Sequence, residues 1–306
     1  MTMSETDHTA LRAALLARQN ADGGFGASPG LPSATEPTAV ALLALSFERE
    51  PLDTGPLRKW LLDQQTPEHG WPVMAGLREP SWTTALAVLA LARYPDEAAV
   101  AQRGAEWLVA ERGRVIDGRP GLLARLFVPS PPVVELDGAL VGWPWTAGTF
   151  SWVEPTAYAL LALRAVEPRP AAAGARIEEG ERLLLDRVCP DGGWNYGNRR
   201  VLGEDLWSYP DTTALAVLAL GQGQDRAVMT RALAALETML AANRSGLATA
   251  LGALALAAHG RDVRALRARL GARFAQTEFA SDLRALAWAL LATNEAAAPF
   301  GEAAGA

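Results

Sequence analysis

Three acidic residues occupy matched settings in this chain. Asp211 lies in SYPDTTALAVLAL (208–220), Glu36 in SATEPTAVALLAL (33–45) and Glu154 in SWVEPTAYALLAL (151–163). Each stands at the start of a stretch that is apolar almost all the way round, and two chemistries fit such a residue. A carboxyl group buried in a water-poor pocket has its pKa raised, by up to about 3–5 units, and becomes a general acid. A helix N-terminus works the other way, favouring the anion by about 0.3–1 kcal/mol. Ser33, Ser151 and Ser208 also stand three residues before the three acids, the spacing of a capping box in which serine and acid each satisfy a backbone N–H. The candidates are therefore Asp211, Glu36 and Glu154 as catalytic acids, or the same three as caps. Asp282 is the equivalent residue of a later segment and precedes Arg284, which makes it a candidate for pairing or capping.

The second chemical resource is indole. The 306 residues include 10 Trp against 4 Tyr. Trp71, Trp82, Trp143, Trp145, Trp152, Trp194 and Trp207 all fall in loops or at the starts of apolar segments. Aromatic faces attract a cation by about 0.5–2 kcal/mol each. Trp82, Trp143, Trp145, Trp152, Tyr158, Trp207 and Tyr209 are the expected substrate-binding residues, and Trp71 and Trp194 the expected structural wedges. The 28 basic and 34 acidic residues give a net charge of −6 with no basic cluster, which argues against a nucleic-acid partner. Cys189 is the single cysteine, so neither an intramolecular disulfide nor a thiolate metal cage is expected. His8, His69 and His259 have no ligand-like spacing, and no metal or cofactor is expected. No stretch reaches the roughly 18–20 apolar residues of a membrane span, and a cytoplasmic protein is expected. The apolar stretch 122–134 is a candidate for peripheral membrane contact, or for a lid over the site.

The elements that position these residues emerge from a repeat. EPTAVALLAL (36–45), WTTALAVLAL (82–91), EPTAYALLAL (154–163) and DTTALAVLAL (211–220) align without a gap, and LATALGALAL (247–256) and DLRALAWALL (282–291) are weaker copies. An amphipathic segment precedes each, over 9–19, 56–65, 100–111, 177–188, 227–242 and 262–275. A helix apolar on every side must be enclosed, whereas an amphipathic one can face water. Six hairpins with inner and outer helices close into an all-α (α/α)6 toroid, with an open solenoid as the alternative. The repeats run over about 9–46, 56–94, 100–167, 177–222, 227–259 and 262–294, forming one domain over 1–306. The long loops inside the first four hairpins emerge at one end of the ring, so acids and indoles gather at one mouth, around an expected hollow.

The outer helices end on a recurring spacing of glutamine, glycine and aromatic residues, Gln19, Gly23 and Phe25 and then Gln65, His69 and Trp71, and this spacing resembles the QW repeat of squalene–hopene cyclases and related class II terpene cyclases. Gln19, Gly23 and Phe25 keep its spacing in repeat one. In repeat two, Trp60, Leu61, Gln65 and Trp71 do so, with His69 in the glycine position. Arg103, Gly104, Trp107 and Leu108 follow in repeat three, and Gly192 and Trp194 in repeat four, where Val188 replaces the glutamine. YPDTTA (209–214) overlays the Asp-x-Asp-Asp-Thr-Ala motif of class II cyclases, with Asp211 on the proton-donating position and Tyr209 and Thr212 in place of the flanking acids. The protein prenyltransferases that share the toroid bind zinc through Asp-x-Cys, and here Thr213 stands where the thiolate would be.

The resemblance implies a metal-independent, class II terpene-cyclase-like protein. Its substrate would be an apolar isoprenoid-type small molecule, and Asp211 would protonate an alkene or epoxide. The alternatives are a non-catalytic toroid that binds an isoprenoid or a protein, and a carbohydrate-active enzyme using two of the acids, which needs carboxyl groups about 5–9.5 Å apart.

Overall fold

The computed structural model describes residues 5–116, 134–223, 225–274 and 281–294. Among the described residues are twelve α-helices: α1 (Glu5–Leu16), α2 (Thr35–Leu45), α3 (Gly55–Gln64), α4 (Thr83–Leu91), α5 (Ala98–Ala110), α6 (Val153–Ala165), α7 (Ala173–Asp186), α8 (Pro210–Leu220), α9 (Arg226–Ala242), α10 (Gly246–Ala258), α11 (Arg264–Phe274) and α12 (Leu283–Thr293). Even-numbered helices are the inner ones. Alanine and leucine, the strongest apolar helix formers, fill them, and their uniform apolarity is met by enclosure: α4 buries every residue from Thr83 to Leu91, and α8 every residue from Thr212 to Leu220. The outer helix α7 instead exposes Glu178 and Arg182 while burying Ile177, Leu183 and Leu184.

The inner helices pack in ring order, α2 on α4, α6, α8, α10 and α12 in turn, and α12 packs back on α2. The toroid is closed. Each outer helix lies on the inner helix of the preceding hairpin, α3 on α2, α5 on α4, α7 on α6, α9 on α8 and α11 on α10, and α1 completes the series on α12. The seam is polar as well as packed. The His8 imidazole bridges Thr293 Oγ1 and Glu48 at 2.9 Å each, Arg12 meets Glu48 at 3.1 Å, and the Asn294 side chain donates to the Phe47 carbonyl at 2.7 Å.

One lock recurs where loop meets inner helix. The backbone N–H groups of Phe25, Trp71, Trp143 and Trp194 donate to the hydroxyls of Thr38, Thr84, Thr156 and Thr213 at 2.8–3.0 Å. The three indole N–H groups donate to the outer-helix carbonyls of Leu61, Leu108 and Leu184 at 2.6–2.8 Å. Gln19 and Gln65 donate to the carbonyls of Gly23 and His69, closing the same turn. His69 takes the left-handed backbone (φ 71°) that Gly23 (90°) and Gly192 (95°) adopt in the equivalent turns.

Two expectations change here. Trp143, expected at the substrate surface, is the wedge of repeat three: it is buried, bonded to Leu108 and covered by the Arg176 guanidinium at 4.1 Å. The Ser-x-x-acid spacings are not capping boxes either. Helices α2, α6 and α8 begin one residue later than that motif requires, with Ala34, Trp152 and Tyr209 at the N-caps and no side-chain cap. The serines tie the loops instead, Ser33 and Ser208 to Asp22 and Asp191, and Ser151 to the Gly142 N–H.

Candidate functional site

The aligned inner-helix starts form a ring of six positions at the mouth, occupied by Glu36, Trp82, Glu154, Asp211, Leu247 and Asp282. Four are carboxylates. Glu36, Glu154 and Asp211 are each the second residue of their helix and are part-buried. Asp282 is the N-cap of α12, accepting from the Ala285 N–H at 3.0 Å, which bears out a capping role for this residue.

Arg284 is the cation of the cluster. It reaches Glu36 at 3.2 Å and Asp282 at 3.7 Å. Burial alone would lower its pKa, but the Glu36 and Asp282 charges outweigh that and hold it firmly protonated. Arg284 takes the register of the anchoring threonines Thr38, Thr84, Thr156 and Thr213, so repeat six exchanges a loop anchor for a charge.

The acids do not behave alike. Glu154 is pushed up to about 7, by burial first and then by the charge of Glu36, with Asp211 adding to the effect; Arg284 and the Tyr158 hydroxyl pull the other way. Glu36 is raised by burial against the opposing pull of Arg284. At neutral pH the mouth thus holds one carboxyl group that is about half protonated among others that repel its ionisation. Sequence reasoning placed the donor at Asp211; the structure adds Glu154, which burial and the charges of Glu36 and Asp211 push up to about 7.

One turn below the acids the axis is filled. Tyr158 on α6 stacks on Trp82 (centroids 5.8 Å apart, planes 25°) and on Trp288 of α12 (6.4 Å, 15°), and Trp145 meets Trp82 edge-on at 4.7 Å. Tyr158 and Trp288 are fully buried. The expected hollow is therefore occupied by aromatic rings at this level. Burial and the nearby Glu154 carboxylate raise the Tyr158 phenol, which stays neutral.

Of the other residues expected to bind substrate, Trp145 is part-buried in the floor and Trp152 is part-buried beside Gly197, while Trp207 is 68% exposed on the rim. Tyr209 pairs with Tyr196 at 5.3 Å, both half exposed. The Tyr196 phenol is raised by burial and by Asp211 and Glu154, so this pair borders the acids. Arg284 and Trp288 were not among the expected site residues; the departure of DLRALAWALL from the threonine pattern was the signal for the first.

Residues 122–133 of the stretch considered for membrane contact or a lid lie outside the described residues, and Val134 bridges to Val201. Among the described residues no helix is long and apolar enough to cross a membrane, and no three His, Cys, Asp or Glu side chains are grouped to hold a metal ion.

No family model matches the chain, and no curated protein matches it in sequence. Solved structures do match in fold. The type II terpene cyclase MstE from Scytonema, in complex with geranylgeranyl dihydroxybenzoate, superposes with a TM-score of 0.57 at 18% identity over 89% of this chain and 77% of its own. The ent-copalyl diphosphate synthase from Streptomyces platensis gives 0.50 at 19% over 92% of this chain, which spans 46% of that enzyme. A glycosidase gives 0.61 at 14% identity over 95% and 96%. The chain is an all-α toroid with a class II terpene-cyclase-like fold, an architecture it also shares with a glycosidase.

Proposed function

We propose that the mouth is a Brønsted-acid site that cyclises an isoprenoid chain without a metal, Glu154 delivering the proton and Asp211 and Glu36 completing the acid cluster. The observation that carries the reading is the position of Glu154, neutral enough near pH 7 to donate, one turn above the Trp82–Tyr158–Trp288 stack. Transfer of the Glu154 proton to a terminal alkene or epoxide generates a carbocation. Ring faces stabilise the cation without offering a lone pair that would capture it. Ring closure consumes internal double bonds, a carboxylate of the cluster removes the final proton and releases it to solvent, and Glu154 is reprotonated from solvent, so substrate and product are isomers.

The test is incubation of the purified protein with farnesyl, geranylgeranyl and squalene-type substrates beside Glu154→Gln and Asp211→Asn. Cyclic product from the wild type, lost at least about 100-fold in Glu154→Gln, is the expected result. Product formation unchanged in that variant rejects Glu154 as donor. Loss confined to Asp211→Asn returns that role to the residue on the family's motif position.

A second reading rests on a different observation: several carboxylates share one open mouth with exposed indole and phenol faces, as a sugar-cleaving site requires, and the full-length likeness to a glycosidase is compatible with it. Hydrolysis of aryl glycosides that is abolished by Glu154→Gln, with no isoprenoid turnover, selects this reading over the first.

A further inference from the structure

A groove of about 430 Å³ lies away from the mouth acids, on the flank between the C-terminal end of α7, the first turns of α9 and the small hairpin Arg200–Val201/Glu204–Asp205. Its floor is apolar, formed by Leu185, Val188, Pro190 and Val228. Cys189 completes the wall as a neutral thiol, its pKa pushed up to about 11 chiefly by burial. Three arginines stand over this floor, and they are not equivalent. Arg200 is neutralised by Asp205 at 3.5 Å and Glu135 at 3.6 Å. Arg199 uses only its Nε, on the Glu135 backbone carbonyl at 3.3 Å. Arg231, on the second turn of α9, is exposed and forms no ion pair among the described residues. Arg199 and Arg231 thus line one groove without an ion-pair partner among the described residues, beside the side chains of Leu185, Val188 and Val228.

We propose that this groove binds a phosphate monoester carrying a short apolar body, with Arg199 and Arg231 holding the phosphate and Leu185, Val188 and Val228 receiving the body. The volume falls in the range of small-molecule sites. Three guanidinium groups against the carboxylates of Glu135 and Asp205 leave the lining with a net positive charge, which favours an anionic head, and the guanidinium fork fits phosphate oxygens in pairs. The inference is independent of the chemistry assigned to the mouth.

Octyl phosphate titrated into the full chain at low salt, followed by methyl NMR, tests it. Saturable shifts at Val188, Val228 and Leu185 are expected at sub-millimolar concentration, with inorganic phosphate, octanol and octanoate each at least about tenfold weaker. The double variant Arg199→Ala/Arg231→Ala should lose binding at least tenfold, and the Lys/Lys variant should keep most of it. Three results overturn the proposal: octanol or octanoate binding as tightly as octyl phosphate, binding unchanged in the Ala/Ala variant, or no shift in these methyl groups up to about 10 mM ligand.

Discussion

The ring of Tyr158 lies 6.4 Å from that of Trp288 and within 15° of parallel, although α6 and α12 stand opposite each other in the toroid. The pair spans the axis and sets the floor on which the mouth acids rest. Trp288→Ala should cost about 3–5 kcal/mol, read as a lower denaturant midpoint, because a fully buried indole is removed from the centre of the ring. Tyr158→Phe keeps the stack and deletes a hydroxyl that holds the Glu154 pKa down. Its activity–pH profile should therefore keep its high-pH limb to a higher pH than the wild type.

Removal of Glu36 should act in the opposite direction. Its charge raises Glu154, while its pairing occupies Arg284, which lowers Glu154. Glu36→Gln should shift the Glu154 titration, read by carboxyl carbon NMR, downward from about 7. The activity limb should shift with it. An unmoved titration would show that burial alone sets the value.

Glu154 also links stability to pH. A carboxyl whose pKa is raised by folding binds a proton that the unfolded chain has already released, so stability falls as pH rises from the ordinary glutamate range to about 7. The loss is about 1–3 kcal/mol. Glu154→Gln should flatten this slope and be the more stable protein at pH 8, as measured by urea midpoints at pH 5 and pH 8.

Glu48 at the seam carries the reverse sign. Burial would raise it, but hydrogen bonds and charge from His8 and Arg12 win and hold it below the usual range. Its stabilisation is present above the unfolded glutamate value and is lost as pH falls through the lowered native value. Glu48→Gln should cost about 1–3 kcal/mol at pH 7, and progressively less as the medium is acidified, since the variant leaves His8 and Arg12 facing a neutral amide.

Glycines on the outer helices make room for the wedges. A Cβ on Gly104 would fall 2.6 Å from Val88 Cγ2 and 2.7 Å from the Trp71 ring, and one on Gly180 would fall 2.9 Å from Trp143. Gly104→Ala and Gly180→Ala should each destabilise by about 1–3 kcal/mol despite improved helix propensity. An exposed glycine with open space, Gly174, supplies the control, where alanine should be neutral or stabilising.

The inner helices were legible because an all-round apolar segment admits one environment: EPTAVALLAL and DTTALAVLAL declare enclosure, and their copies set the ring. The outer helices followed from their three-and-four spacing, with ends off by a few residues, as at 177–188 against Ala173–Asp186. Ser33, Ser151 and Ser208 misled because the capping spacing is local while their partners, Asp22, Gly142 and Asp191, lie in the loops. Trp143 misled for a related reason: the 13-residue interval to Thr156 that marks a wedge matches that from Trp71 to Thr84, but the longest loop hides its Gln and Gly landmarks. The Tyr158–Trp288 stack and the raised Glu154 depend on residues brought together from separate repeats, and no pattern along one helix encodes such a meeting.

Three of the four acids at the mouth stand two residues before the threonine that secures their loop, Glu36 before Thr38, Glu154 before Thr156 and Asp211 before Thr213. Carboxyl placement is thereby referenced to the scaffold and not to the connecting segment. Loop sequences and lengths can drift, exchanging one set of rim side chains for another, while the acids keep their mutual spacing. A ring built this way offers a fixed source of protons beneath an interchangeable collar, so selectivity is open to redesign by grafting loops between successive Trp–Thr fasteners.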